Sequence, residues 1–267
     1  MKKLIVALMA VMLVFCFTAD YSIEKKVVDT RTVAERVSET VIIVGNSTGV
    51  VVYSEIGRTL VLTARHNIEN VIDEIECPGC LKNIDIGLIV QILIGNNLLE
   101  IPMQFDVIDF DESKKRDLAI IEINTVSPLE FAIISDRNLR LGEDIYTVSN
   151  PQYIFRSLKK GIVGSIYRIS RGVPAIEISG GVIYGSSGGG VFTMDGKLAG
   201  IMFSVKVLES DHCYELYDEN GKLVGERCIQ IPLPYIGFAI RTDVIKEFLL
   251  EGKFKEDFKY LEVGKHE

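Results

Sequence analysis

The chain has 267 residues, 48% of them hydrophobic, with 29 basic and 37 acidic side chains and a net charge of −8. That length and apolar content suffice to bury a substantial core. The acidic balance, which deepens to −10 once the first 19 residues and their two lysines are set aside, argues against nucleic-acid or anionic-membrane binding.

Met1-Lys2-Lys3 followed by the apolar stretch 4–17 has the layout of a signal peptide and is short for a transmembrane helix. Residues 1–19 are read as a signal peptide or an uncleaved membrane anchor. Cys16 offers lipidation as a further alternative, although Phe15 before it is not the small residue that modification requires. Each alternative places the rest of the chain outside the cytoplasm, in a periplasm or the extracellular space.

Next comes a short amphipathic helix over 32–38, followed by short β-branched runs separated by turns. Residues 41–44, 50–53, 59–63, 86–94, 101–108 and 118–123 read as six strands. Within this set Asn46-Ser47-Thr48 fits an N-glycosylation pattern. A connector near 125–129 leads to a second set, near 145–148, 159–169, 175–178, 190–193, 198–205 and 235–240. Thr242-Asp243 then carries an N-cap signal for a final helix that ends near Gly252, and a charged tail follows over 253–267.

Apart from Cys16 the cysteines are Cys77, Cys80, Cys213 and Cys228, an even set suited to an oxidising compartment. Asn220-Gly221 signals a two-residue hairpin turn, and pairing about it sets Cys213 opposite Cys228. In a hydrogen-bonded pair their Cα atoms would stand roughly 5.5 Å apart, within disulfide range. Cys77-Pro78-Gly79-Cys80 suits a local disulfide, with structural zinc or redox chemistry as alternatives.

Three motifs carry chemistry. Gly185-Ser186-Ser187-Gly188-Gly189-Gly190 reads as a nucleophile loop, since glycines around one serine let the backbone turn tightly and aim N–H groups at a developing oxyanion. Leu62-Thr63-Ala64-Arg65-His66 puts a base at a strand's exit. Arg116-Asp117-Leu118-Ala119 puts a carboxylate where another strand begins. Taken singly, each has a plain reading as a turn, a loop histidine or a solvated strand-start residue; the ordered set His66, Asp117, Ser187 points to a triad.

That order, with T-A-x-H, D-L-A and G-x-S-G-G, resembles the trypsin-like serine proteases, and the stretches Val33-Ala34-Glu35-Arg36-Val37-Ser38, Ser149-Asn150-Pro151 and Gly237-Phe238-Ala239-Ile240 narrow the resemblance to HtrA-like members. The resemblance implies an all-β fold of two six-stranded Greek-key β-barrels, about 39–125 and 130–241, within one protease domain over 20–252 and without a PDZ domain. It implies a serine endopeptidase that acts on polypeptides through His66, Asp117 and Ser187 and an acyl-enzyme, with the backbone N–H groups of Gly185 and Ser187 as oxyanion hole. No metal or organic cofactor is required, and a trimer is implied. By position relative to Ser187, the substrate-binding walls would be Val182 and Tyr184 on one side and Phe203, Ser204 and Val205 on the other. Without an acid among them, they favour small or medium aliphatic side chains. Gly190 and Arg65 depart from the residues usual beside the nucleophile and the base. A non-catalytic peptide-binding protein on the same fold, or an esterase, is the alternative function.

Overall fold

The computed structural model describes residues 31–69, 89–94, 97–102, 108–110, 115–218, 220 and 222–262. The N-terminal segment 1–30 and the Cys77/Cys80 turn lie outside the described residues. Helix α1, Val33–Glu39, is opened by a capping box: Thr32 N–H donates to Glu35 Oε2 at 2.6 Å and Glu35 N–H to Thr32 Oγ1 at 3.2 Å.

Seven strands form the first sheet: β1 Val41–Val44, β2 Ser47–Glu55, β3 Arg58–Ala64, β4 Ile89–Ile94, β5 Asn97–Pro102, β6 Ile108–Phe110 and β7 Leu118–Ile123. Their order is β5-β4-β1-β2-β3-β7-β6, and no ladder closes it into a barrel among the described residues. The mainly β half expected here is present, with seven strands where six were expected. The region read as two strands, 86–94 and 101–108, instead holds a β4–β5 hairpin, in which Ile94 pairs with Asn97 and Ile89 with Pro102, and the short β6.

The second half is a closed six-stranded barrel, as expected, in the order β10-β13-β12-β11-β8-β9. Its strands are β8 Asp144–Ser149, β9 Ser157–Ser170, β10 Val173–Ile178, β11 Gly190–Thr193, β12 Leu198–Tyr217 and β13 Leu223–Arg241. β12 and β13 run far beyond the expected 198–205 and 235–240, forming a two-stranded ribbon that projects from the barrel. Cys213 and Cys228 face each other across it and form the disulfide. Their Cα atoms are 3.8 Å apart, closer than expected. The turn also differs: Asp218 N–H donates to Lys222 O at 2.9 Å, and a register shift between Leu216 and Tyr217 restores the cysteine pairing.

A single apolar cluster joins the halves, with Leu62 and Leu118 from the first sheet, Phe192, Ile201 and Phe203 from the barrel, and Ile245 and Phe258 from the C-terminal segment. Helix α2, Thr242–Glu251, begins at the Thr242-Asp243 pair that was expected to cap it. Arg241 is the N-cap position, while Thr242 Oγ1 donates to Ala199 O at 2.7 Å and Asn138 Oδ1 accepts from Asp243 N–H at 3.1 Å. The expected tail folds back as a 3₁₀ helix, Lys255–Leu261, because Phe254, Phe258 and Leu261 are buried. Arg58 fixes it to the first sheet, meeting Asp257 at 2.7 and 2.8 Å and Glu122 at 2.7 Å. The two carboxylates hold the Arg58 guanidinium above its ordinary pKa against the opposing effect of burial.

Candidate active site

The antiparallel pairing of β3 and β7 ends at Ala64↔Leu118. His66 lies two residues past the end of one strand and Asp117 one before the start of the other, so strand register alone brings them together. Asp117 Oδ1 accepts the His66 backbone N–H at 3.0 Å, and Oδ2 lies 2.8 Å from His66 Nδ1. A carboxylate is acceptor-only when ionised, so Nδ1 carries the proton and the Nε2 lone pair is left to act as a base. Asp117 has φ +52°, a conformation that costs a non-glycine residue about 1–2 kcal/mol. Its own carbonyl accepts from Arg65 N–H at 2.9 Å, which helps hold it there.

The Ser187 loop is shaped by positive φ at Gly185 (+86°) and Gly188 (+82°). A Cβ on Gly188 would stand 1.9 Å from Thr48 O and 2.3 Å from Thr63 Oγ1, so no other residue fits without displacing the first sheet. Gly188 N–H donates to Met202 O at 2.6 Å and Gly189 N–H to Ser186 O at 2.9 Å. The N–H groups of Gly185 and Ser187 make no hydrogen bond among the described residues. Two unsatisfied donors at neighbouring points of one loop can receive an anionic oxygen. Gly190, unusual at its position, is required by Phe192, whose ring would lie 2.3 Å from an added Cβ.

Several residues that lock this loop went unnoticed in the sequence. Thr48, legible there only as the third residue of a glycosylation pattern, is fully buried. Its N–H donates to Ser187 O at 3.0 Å, its Oγ1 donates to Gly185 O at 2.8 Å, and Thr48 Oγ1 itself accepts from Asn150 N–H at 2.9 Å. Asn67, one residue after His66, donates from Nδ2 to Ser187 O and to Thr63 Oγ1, each at 2.9 Å. Base and loop are thus tied through one side chain. No hydrogen bond joins His66 to Ser187 among the described residues; Ser187 Oγ donates to Phe203 O at 3.5 Å.

Of the residues expected to line a substrate pocket, Val182 and Phe203 have core side chains, 3% and 1% exposed. Val182 packs on Gly237, and Phe203 meets the site through its carbonyl. Tyr184 is exposed, while Ser204 and Val205 are half-buried. Arg65, also unusual for its position, is 3% exposed, paired with Glu69 at 2.9 Å and stacked 5.6 Å from the Phe110 ring centroid. It lines a pocket of about 160 Å³ beside His66 and Asp117. No group of three or more metal-ligating side chains exists among the described residues.

Residues 47–201, more than half of the chain, match the family model described as "Trypsin-like peptidase domain". "Serine protease Do-like HtrA" of Bacillus subtilis (strain 168) is 25% identical over 218 residues, which cover 73% of this chain and 42% of that protein. The chain therefore spans less than half the length of that curated relative. Among solved structures, the MamO protease domain of Magnetospirillum magneticum (apo form) superposes with TM-score 0.53 at 15% identity, covering 79% of this chain and 96% of that one. "HtrA-type protease AlgW with decapeptide" gives TM-score 0.51 at 18% identity, covering 76% and 50%. At these identities the structural likeness concerns the fold.

Proposed function

This chain belongs to the trypsin-like peptidase family, and from that premise we propose that it is a serine endopeptidase that hydrolyses peptide bonds through His66, Asp117 and Ser187. The observation that carries the reading is the doubly held His66–Asp117 pair, 2.8 and 3.0 Å, tied through Asn67 to a serine loop with two unsatisfied N–H groups. In the proposed cycle, Ser187 Oγ turns from Phe203 O toward His66 Nε2, which takes its proton as Oγ attacks the substrate carbonyl. Asp117 stabilises the imidazolium, and the N–H groups of Gly185 and Ser187 receive the oxyanion. His66 returns the proton to the leaving amine, and water then releases the acyl group.

AlgW, a structural neighbour, is described with a decapeptide, in keeping with a polypeptide as substrate here. Of the expected pocket residues, Tyr184, Ser204 and Val205 keep accessible side chains and include no acid, so the primary pocket favours small or medium aliphatic side chains over Lys or Arg. The apolar leader and the disulfide suit an exported protein. The test is digestion of an unfolded polypeptide by the oxidised protein, with cleavage sites mapped by mass spectrometry. Cuts after aliphatic residues that vanish in Ser187→Ala are expected; hydrolysis of aryl esters with no peptide cleavage would overturn the peptidase reading.

A further inference from the structure

Arg116 stands immediately before Asp117, and its side chain leads away from the site to the C-terminal helix. Its Nη1 donates to Glu251 Oε2 at 2.7 Å and lies 3.9 Å from Glu247 Oε1, and the guanidinium sits 5.7 Å from the centroid of the Phe248 ring. Residues three and four apart are neighbours on a helix, so these three partners form one patch of α2. Phe248 is buried and, with Ile245 and Leu249, belongs to the apolar cluster that joins the halves. The patch is therefore fixed to the core, and Arg116 is fixed to the patch.

The helix has its own need for this cation. Glu247 and Glu251 repel each other at i and i+4, and Glu251 ends the helix, where the macrodipole disfavours negative charge. The last turn of α2 contains no basic residue. Arg116 supplies the missing positive charge from another part of the chain.

Asp117 needs a restraint at the same place. A residue persists in a sparsely populated conformation only where its surroundings hold it on both sides, and Asp117 has φ +52°. Its C-terminal side is held because its carbonyl accepts from Arg65 N–H at 2.9 Å and Leu118 pairs with Ala64. On its N-terminal side the restraint is the anchored Arg116. Without that anchor the residue would sample ordinary φ values, and its carboxylate would spend time off His66 Nδ1 and N–H.

We propose that Arg116 is a positioning residue for the peptidase reaction: anchored to Glu247 and Glu251 of α2, it holds the chain entering Asp117 and so keeps the carboxylate on His66. The proposal rests on the peptidase reading and deepens it. It makes a helix that has no hydrogen bond to His66 or Ser187 among the described residues part of what sets the rate.

The test uses the full chain and a peptide with one cleavage site. Arg116→Met keeps an apolar stem beside Phe248 and removes the charge, Arg116→Lys restores a charge, and a Glu247→Gln, Glu251→Gln double variant removes the anchor at two exposed positions without touching Arg116. In the Met and the double Gln variants kcat should fall about 10- to 100-fold, as a small misplacement of a catalytic group does, with KM nearly unchanged. Arg116→Lys should recover most of the loss. Proton NMR supplies a readout that a merely structural tie would not move: the His66 Nδ1 proton should exchange with water at least about 10-fold faster in the Met and the double Gln variants, at nearly unchanged denaturant midpoints. Wild-type kcat and Nδ1 exchange in both of these variants, even with a lowered denaturant midpoint, would overturn the proposal and leave the peptidase standing. If the wild-type chain cleaves no peptide, the peptidase reading falls, and the Nδ1 exchange alone decides whether Arg116 holds the pair.

Discussion

One carboxylate, that of Asp117, holds His66 at two points, the ring Nδ1 at 2.8 Å and the backbone N–H at 3.0 Å. The second contact fixes where the residue sits, and the first fixes which ring nitrogen is free. Asp117→Asn preserves the shape but offers an amide that can donate, allowing the wrong imidazole tautomer. Turnover of a peptide substrate should fall by about 10⁴ in kcat while the fold, followed by circular dichroism, is retained.

Gly188→Ala should be among the most damaging single-methyl changes in the chain. Its Cβ would enter the space of Thr48 O, 1.9 Å away, at φ +82°. A loss of more than about 3 kcal/mol in denaturant unfolding is expected. Gly57→Ala is the control: φ is +84° but nothing lies within 4 Å, so only backbone strain of about 1–2 kcal/mol is expected.

Thr48→Val retains volume but removes the hydroxyl that bridges Gly185 O and Asn150 N–H. Each group left without a partner should cost about 1–3 kcal/mol. Since Gly185 O belongs to the peptide unit that precedes Ser186, the loop loosens next to its two free N–H groups. We expect kcat to fall at least about 10-fold, with KM for short peptides little changed.

The contact between His66 and Asp117 was legible because each sits inside a short motif at a strand end and strand register brings the two together, while Ser187 was legible as the serine of a glycine-rich loop. The roles of Thr48 and Asn67 were not, and Asn150 was legible only as part of Ser149-Asn150-Pro151, because these roles rest on hydrogen bonds between residues far apart in sequence, such as Thr48 to Gly185, which no local pattern encodes. The same limit explains Val182 and Phe203: alternation along a strand shows that side chains change face, but not which face is the core. The ribbon was half legible. Asn220-Gly221 and the cysteine pair marked its far end, whereas Pro232 and Pro234 in β13 and the register shift between Glu209 and Cys213 in β12 concealed the continuity of the two strands.

The disulfide staples a projecting ribbon whose residues around the cysteines are largely exposed, and it closes a sequence separation of 15. In the chain-entropy view a loop of that size is worth about 3 kcal/mol, yet the gain should be local to the ribbon. The Cys213→Ser, Cys228→Ser double variant should keep the barrel's thermal transition and lose amide-exchange protection between β12 and β13 beyond Val205.

Glu143 accepts hydrogen bonds from Arg137 at 2.6 and 2.9 Å and from Arg140 N–H at 2.9 Å. The Arg137 guanidinium, against a smaller opposing effect of burial, holds its carboxyl below the ordinary value of 4.5. A depressed folded-state pKa means that the unfolded chain binds the proton more readily. The resulting stability is present above about pH 4.5 and is lost as pH falls through the depressed value. Glu143→Gln should therefore lower stability at pH 7, where the ionised carboxylate contributes, and flatten the acid limb, so that the denaturant midpoints of the two proteins converge as pH falls through the depressed value.

The central claim is that Ser187 is a nucleophile activated by His66, and labelling with a fluorophosphonate tests it most directly. The oxidised protein lacking residues 1–19 should be labelled on Ser187, with labelling lost in Ser187→Ala and reduced by orders of magnitude in His66→Ala. A folded wild-type chain that takes no label, or labels equally well without His66, would contradict the account.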